Sequence, residues 1–123
     1  MRGGVYYALM PMQSDQEGSV QQGRRPVVVV SSEIGCKTAS VVMVCPLTTK
    51  HKKLSCNVDI NFTNRAGVSS QVLCNQIQTV PVSTLSRCYY TLSDDEMHRV
   101  DTAICISLGI VDYMKKLENG ERV

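Results

Sequence analysis

Residues 26–30 read Pro-Val-Val-Val-Val, and four β-branched side chains in succession leave the chain few options. Such residues lose rotamer freedom in a helix and pack well on a pleated surface. In a strand, successive side chains point to opposite faces, so a half-exposed strand would alternate valine with polar residues. The unbroken run instead predicts a strand, residues 26–32, covered by protein on both sides. Pro26 fits as its first residue, where the ladder does not need the missing N–H, and it presses Arg25 into an extended conformation. Two arginines, Arg24 and Arg25, therefore stand at the mouth of a core strand.

The neighbouring segments extend this pattern. Residues 3–12, rich in β-branched and aromatic side chains, predict a first strand. Residues 13–24, QSDQEGSVQQGR, carry no apolar period and read as a polar loop of a length that is usually functional. A third strand is expected over 40–49, ending near Pro46, followed by a basic loop at 50–54. A fourth strand spans 55–62, the turn Asn64-Arg65-Ala66-Gly67 follows, and a fifth strand runs over 69–80 until Pro81. Then the period changes. Ser93-Asp94-Asp95-Glu96 forms a capping box with acidic residues suited to a helix N-terminus. Met97, Val100, Ala103, Ile104, Leu108 and Val111 recur at helical spacing, which predicts one helix from about 94 to 110 or slightly beyond. The charged tail, 113–123, is expected to fray. The expected fold is mainly β with a C-terminal helix, a small antiparallel barrel-like domain with its core over about 3–112.

A chain of 123 residues is one domain's worth and can bury roughly two-thirds of its unfolded surface. The net charge of +2 does not by itself announce a nucleic-acid binder; any basic surface has to come from local clusters, Arg24-Arg25 and Lys50-His51-Lys52-Lys53. No apolar run approaches the roughly 18 residues of a membrane span. The N-terminus, MRGGVYYALMPMQ, lacks the cleavage site of a signal peptide, so a cytoplasmic location without membrane contact is expected. The six cysteines form no C-x-x-C pair, and neither His51 nor His98 sits near a close Cys pair. No metal site is expected; the cysteines read as reduced, mostly buried small hydrophobes.

The chain has no G-x-S-x-G, no Gly-rich phosphate loop and no H-E-x-x-H. The acidic trio Asp94, Asp95 and Glu96 is accounted for by the helix cap. What remains are Arg25 at a strand start, Thr48 at a strand end, and Ser19 and Gln21 in the long loop. Strand ends flanked by loops are where binding residues collect. A guanidinium presents a rigid fork of donors suited to phosphate, and a threonine hydroxyl beside it would help stabilise charge developing there without a metal. By themselves these residues also admit a plainer reading: a solvated strand-end cation and an ordinary β-branched strand residue.

Longer stretches carry a resemblance. GSVQQGRRPVVVVSS resembles the GSEQxGxRPxxVxS stretch of the MazF/PemK-type toxins of bacterial toxin–antitoxin pairs. VVMVCPLTT is similar to that family's apolar strand ending in P-[LI]-T, VLCNQIQTV to its [DE]-Q-[IV]-[RK]-[ST] strand, and LSDDEMHRVDTAICISLGI to its C-terminal helix. The four fall in order over about residues 3–110. The resemblance implies an SH3-like small barrel, a homodimer, and a metal-independent, sequence-specific endoribonuclease cutting single-stranded RNA and neutralised by a cognate antitoxin. It needs no cofactor. By position, Arg25 and Thr48 fall on the catalytic positions, and Ser19 and Gln21 on the loop covering the RNA. Gln76 falls beside the substrate groove, and Arg24, Thr49, Lys50 and Lys52 are further candidate RNA contacts. Lys53 belongs to the same basic loop.

Three positions depart from the family pattern: Gly4, Val20 and Asn75 stand where acidic residues are usual. Their loss would weaken repulsion near a groove for a polyanion and is expected to alter loop closure or specificity. Two rivals stay open at this point. One is a toxin of the same fold that acts by protein binding, as the gyrase poisons do; the other is a catalytically dead relative.

Overall fold

The computed structural model describes residues 1–10 and 24–120; Ser19, Gln21 and Val20, with most of the predicted polar loop, lie outside the described residues. Among the described residues, seven strands and three α-helices follow in the order β1 (Gly4–Leu9), β2 (Arg24–Val29), α1 (Glu33–Thr38), β3 (Val41–Thr48), β4 (Asn57–Thr63), β5 (Ser69–Leu73), β6 (Gln78–Pro81), β7 (Tyr90–Thr91), α2 (Asp94–Ser107) and α3 (Ile110–Glu118). The strands make one antiparallel sheet in the order β4-β5-β3-β2-β1-β7, with β6 also paired to β3. It curls into a nearly closed small barrel.

The valine run explains the layering. Val27 and Val29 enter one apolar cluster with Ala8, Met10, Val42, Val44 and Val80. Val28 points the other way, into a cluster with Val5, Cys45, Leu47, Val58, Ile60, Val72, Val100 and Ala103. All three valines are fully buried, so the strand is covered on both faces, as the missing alternation requires. The second cluster is closed by α2, whose Val100 and Ala103 are buried against the sheet.

The strand begins at Arg24, earlier than expected, and leaves Pro26 in its interior. Tyr7, opposite Pro26, turns both its N–H and its carbonyl to Ser86. Pro26 and Tyr7 thus share no ladder bond, and β3 pairs with β2 only from Val27 onward. The proline sits where no hydrogen bond is asked of it. Residues beyond Val29 leave the strand, and Ser32 caps α1, a short helix not expected from the sequence, by accepting from the Gly35 N–H.

Two further expectations are corrected. The fifth strand is two strands: between Leu47 and Val44, three steps along β3, the partner advances from Val72 to Gln78. The surplus residues loop out as a turn closed by the Gln76 N–H on the Leu73 carbonyl, 3.2 Å. Gln76 therefore lies on a turn, not on a strand. At the other end, Gly109, at φ +74°, breaks the helix. The chain then re-enters a helix, α3, as far as Glu118 instead of fraying. All six cysteines are free, but only Cys45 and Cys74 are buried; Cys36, Cys56 and Cys105 are half-buried and Cys88 is exposed. Burial pushes the Cys45 and Cys74 thiols up to about 12.

Candidate active site

Strand pairing brings Arg25 and Thr48 to neighbouring ends of β2 and β3. On β2, Val27 and Val29 face the first apolar cluster, and Arg25 shares their parity and hence their face. On β3, Val42 and Val44 face the same cluster, and Thr48 shares theirs. The ladder's last pair is Val27 with Pro46; two residues beyond it lie Arg25 on β2 and Thr48 on β3, at neighbouring ends of adjacent antiparallel strands. Both are half-buried at strand ends; Thr48 follows the buried Leu47, and Arg25 stands two residues before the fully buried Val27. The row continues across the sheet, since Ala8 pairs with Arg25, Thr48 with Gln71 and Gln71 with Asp59.

Beside this row lies the basic loop. Thr49, Lys50, His51, Lys52 and Lys53 are all exposed, as is Arg24. The Lys50 N–H donates to Thr48 Oγ1 at 3.1 Å, which orients the hydroxyl. His51 Nε2 lies 2.7 Å from the Ser69 carbonyl, and its Nδ1 lies 3.5 Å from Asp59 Oδ1. Gln76 stands apart from the row, on its turn near the Cys45–Pro46 stretch of β3. Among the described residues, no three His, Cys, Asp or Glu side chains converge as metal ligands.

Gln71 and Asp59 are components that sequence reading missed. Gln71 is only 6% exposed. Its Oε1 accepts from the Lys52 N–H at 3.0 Å and from Asn57 Nδ2 at 3.2 Å; its Nε2 donates to the Lys52 carbonyl at 3.2 Å and to Asp59 Oδ1 at 2.8 Å. A polar residue inside the apolar stretch SSQVLC was the available signal, but nothing local says what it would bind. The departure at Gly4 has a steric cause. This glycine is buried in β1 opposite Thr91, and a Cβ there would meet the Tyr6 ring at 2.7 Å and Cys88 Sγ at 3.1 Å. Any side chain there has to displace the Tyr6 ring. Asn75 is exposed on the turn after β5.

A second concavity, of about 610 Å³, opens between α2 and the sheet and is lined mainly by Val30, Met43, Ile77, Ile104, Cys105 and Leu108. It holds none of the residues above. Its polar lining is Ser32, Glu33, Asp101 and Arg2, and Arg2 Nη2 makes a two-pronged bond to the Asp101 carboxylate at 2.5 and 2.6 Å while Nη1 donates to the Val30 carbonyl. This ties the N-terminus to α2.

The arginine and the threonine at adjoining strand ends, beside a lysine-rich loop, sit on a small, nearly closed antiparallel barrel with C-terminal helices. Residues 1–108 match the model of the PemK-like, MazF-like toxins of type II toxin–antitoxin systems, and the chain belongs to that family. It is 34% identical over 116 residues to Endoribonuclease EndoA of Bacillus subtilis, covering 91% of this chain and 97% of that one. Among solved structures, the Mycobacterium tuberculosis toxin MazF-mt6 matches with a TM-score of 0.69 at 24% identity, covering 85% of this chain and 95% of the other. A mycobacterial endoribonuclease in complex with its cognate antitoxin matches at 0.71 and 20%, covering 89% and 94%. These likenesses are of the fold.

Proposed function

We propose that the chain is the toxin of a toxin–antitoxin pair, a metal-independent endoribonuclease that cuts single-stranded RNA at preferred sequences. The observation that supports this reading is that Arg25 and Thr48 lie half-buried at neighbouring ends of the paired strands β2 and β3, next to the basic loop. The ribose 2′-OH gives up its proton to solvent as it attacks the adjacent phosphorus, the bond to the 5′-oxygen of the next nucleotide breaks, and 2′,3′-cyclic phosphate and 5′-OH ends result, with solvent afterwards returning the proton that Arg25 supplies. Because the nucleophile is tethered to the phosphate, alignment contributes a large share of the acceleration. The Arg25 fork and the Thr48 hydroxyl stabilise the added negative charge, and Arg25 donates the proton to the leaving oxygen. Arg24, Thr49, Lys50 and Lys52 contact flanking phosphates, and Gln76 borders the groove. Ser19 and Gln21 are further candidate RNA contacts.

The chain acts as one domain, in the cytoplasm, as a homodimer. Support for the dimer comes from α3: Ile110, Tyr113, Met114 and Leu117 form an apolar stripe, each at least 41% exposed, and no residue of this helix is buried within the subunit. A cognate antitoxin binds across the RNA groove. The gyrase-poison reading leaves the Arg25–Thr48 pair without a use.

The test is incubation with a long single-stranded RNA in excess chelator. Discrete fragments with 5′-OH ends are expected, DNA of the same sequence stays intact for want of a 2′-OH, and Arg25→Ala slows cleavage by roughly 10³-fold. Intact RNA at high protein concentration, or unchanged cutting by Arg25→Ala, would sink the reading.

A further inference from the structure

The β3–β4 loop packs four basic side chains into consecutive positions, Lys50 to Lys53, with no helix or strand to hold them. Mutual repulsion should splay such a segment, yet it is pinned to the sheet by side chains. Lys50 N–H is taken by Thr48 Oγ1, His51 by the Ser69 carbonyl, and both polar groups of the Lys52 peptide backbone by the one amide of Gln71. That amide uses all four of its bonding atoms' directions, two on Lys52 and one each on Asn57 and Asp59. Satisfied and nearly buried, it forms a rigid anchor, and it occupies the position next to Thr48 in the row that begins at Arg25.

We propose that Gln71 is a positioning residue for RNA cleavage. It fixes the main chain at Lys52 so that Lys50, Lys52 and Lys53 form a preordered cationic rim for the phosphates flanking the one held by Arg25 and Thr48. A lysine loop ordered only on binding would lose affinity to the cost of immobilising its side chains; one ordered beforehand does not. The neutral amide suits the task because it supplies both the acceptor and the donor that one peptide unit needs, whereas a carboxylate supplies only acceptors and an aliphatic side chain neither.

This inference rests on the endoribonuclease reading, and a double-mutant cycle separates the two. Gln71→Leu, Lys52→Ala and the double variant are assayed on a short single-stranded RNA for kcat and KM at several salt concentrations. Lys52→Ala removes the charge while leaving the backbone bonds to Gln71. In Gln71→Leu, KM is expected to rise roughly ten-fold, the size of a lost charged contact, with kcat changing less. The dependence of KM on salt becomes shallower by about one contact. In that background Lys52→Ala adds little, because the lysine is no longer held in place. Additive effects, or a fall in melting temperature with KM unmoved, overturn the proposal. If the wild-type chain cuts no RNA, the functional reading fails. Gln71 is then judged by the exchange rate of the Lys52 amide and by oligonucleotide affinity, both of which must change in Gln71→Leu for the positioning role to stand.

Discussion

Glu96 shows how much a single residue ties together. Its carboxylate, 2% exposed, accepts from the Ser93 N–H at 2.9 Å, the Tyr90 hydroxyl at 2.7 Å and the Asn61 N–H at 2.7 Å. One side chain thus completes the capping box of α2, fastens that helix to β4 and holds β7. Burial alone would raise its pKa, but the bonds from Ser93, Tyr90 and Asn61 outweigh burial and hold it below the ordinary carboxylate value. Tyr90 moves the opposite way: its bond to Glu96, then burial, push the phenol up to about 12. Because the folded-state pKa of Glu96 is depressed, its contribution to stability is present above the unfolded-state value and is lost as the pH falls through the folded one. Urea midpoints should therefore drop on acidification more steeply in the wild-type chain than in Glu96→Gln. Glu96→Ala, which strands three donors, should cost about 3 kcal/mol in the same measurement at neutral pH. A midpoint indifferent to both changes would show that the cap does not hold the helix to the sheet.

The two C-terminal helices illustrate the same rule with opposite outcomes. α2 satisfies its apolar side inside the subunit through Val100 and Ala103. α3 has an apolar stripe at the spacing i, i+3, i+4, i+7 and buries none of it. An isolated helix of nine residues is marginal in water, so α3 needs a partner surface for much of its stability. The exposed Ile106 and Leu108 extend the same apolar region at the end of α2. Met114→Glu, which puts a charge into that stripe, is expected to shift the chain from dimer to monomer in sedimentation while leaving the barrel's thermal transition cooperative. A dimer of unchanged strength would remove α3 from the interface.

Over the whole molecule, a net charge of +2 conceals a strong asymmetry. Arg24, Arg25, Lys50, His51, Lys52 and Lys53 gather at one end of the sheet, with Asp59 facing them. Binding of single-stranded RNA by three or four of these cations implies a log–log salt slope of roughly −2 to −3, read from oligonucleotide affinities between low and physiological salt; a flat dependence would deny the cluster a role in binding. Much of this was legible in the chain itself. The unbroken valines required a strand covered twice, Ser93 to Glu96 marked a helix start, and the stretches around Arg25 and Thr48 carried the family pattern, because sterics, capping and periodicity act within a few neighbouring residues. The end of that helix was less legible, since Gly109 interrupts a period that resumes beyond it. What tertiary structure alone decided is whatever depends on the offset between distant segments: that Arg25 and Thr48 come to neighbouring ends of paired strands, that the Gln71 amide closes on the Lys52 backbone nineteen residues away, and that α3 is left without cover. No window of sequence contains those pairings. They are settled when whole strands choose the register that buries both sets of valines at once, and the position of the charged residues at the strand ends follows from that choice.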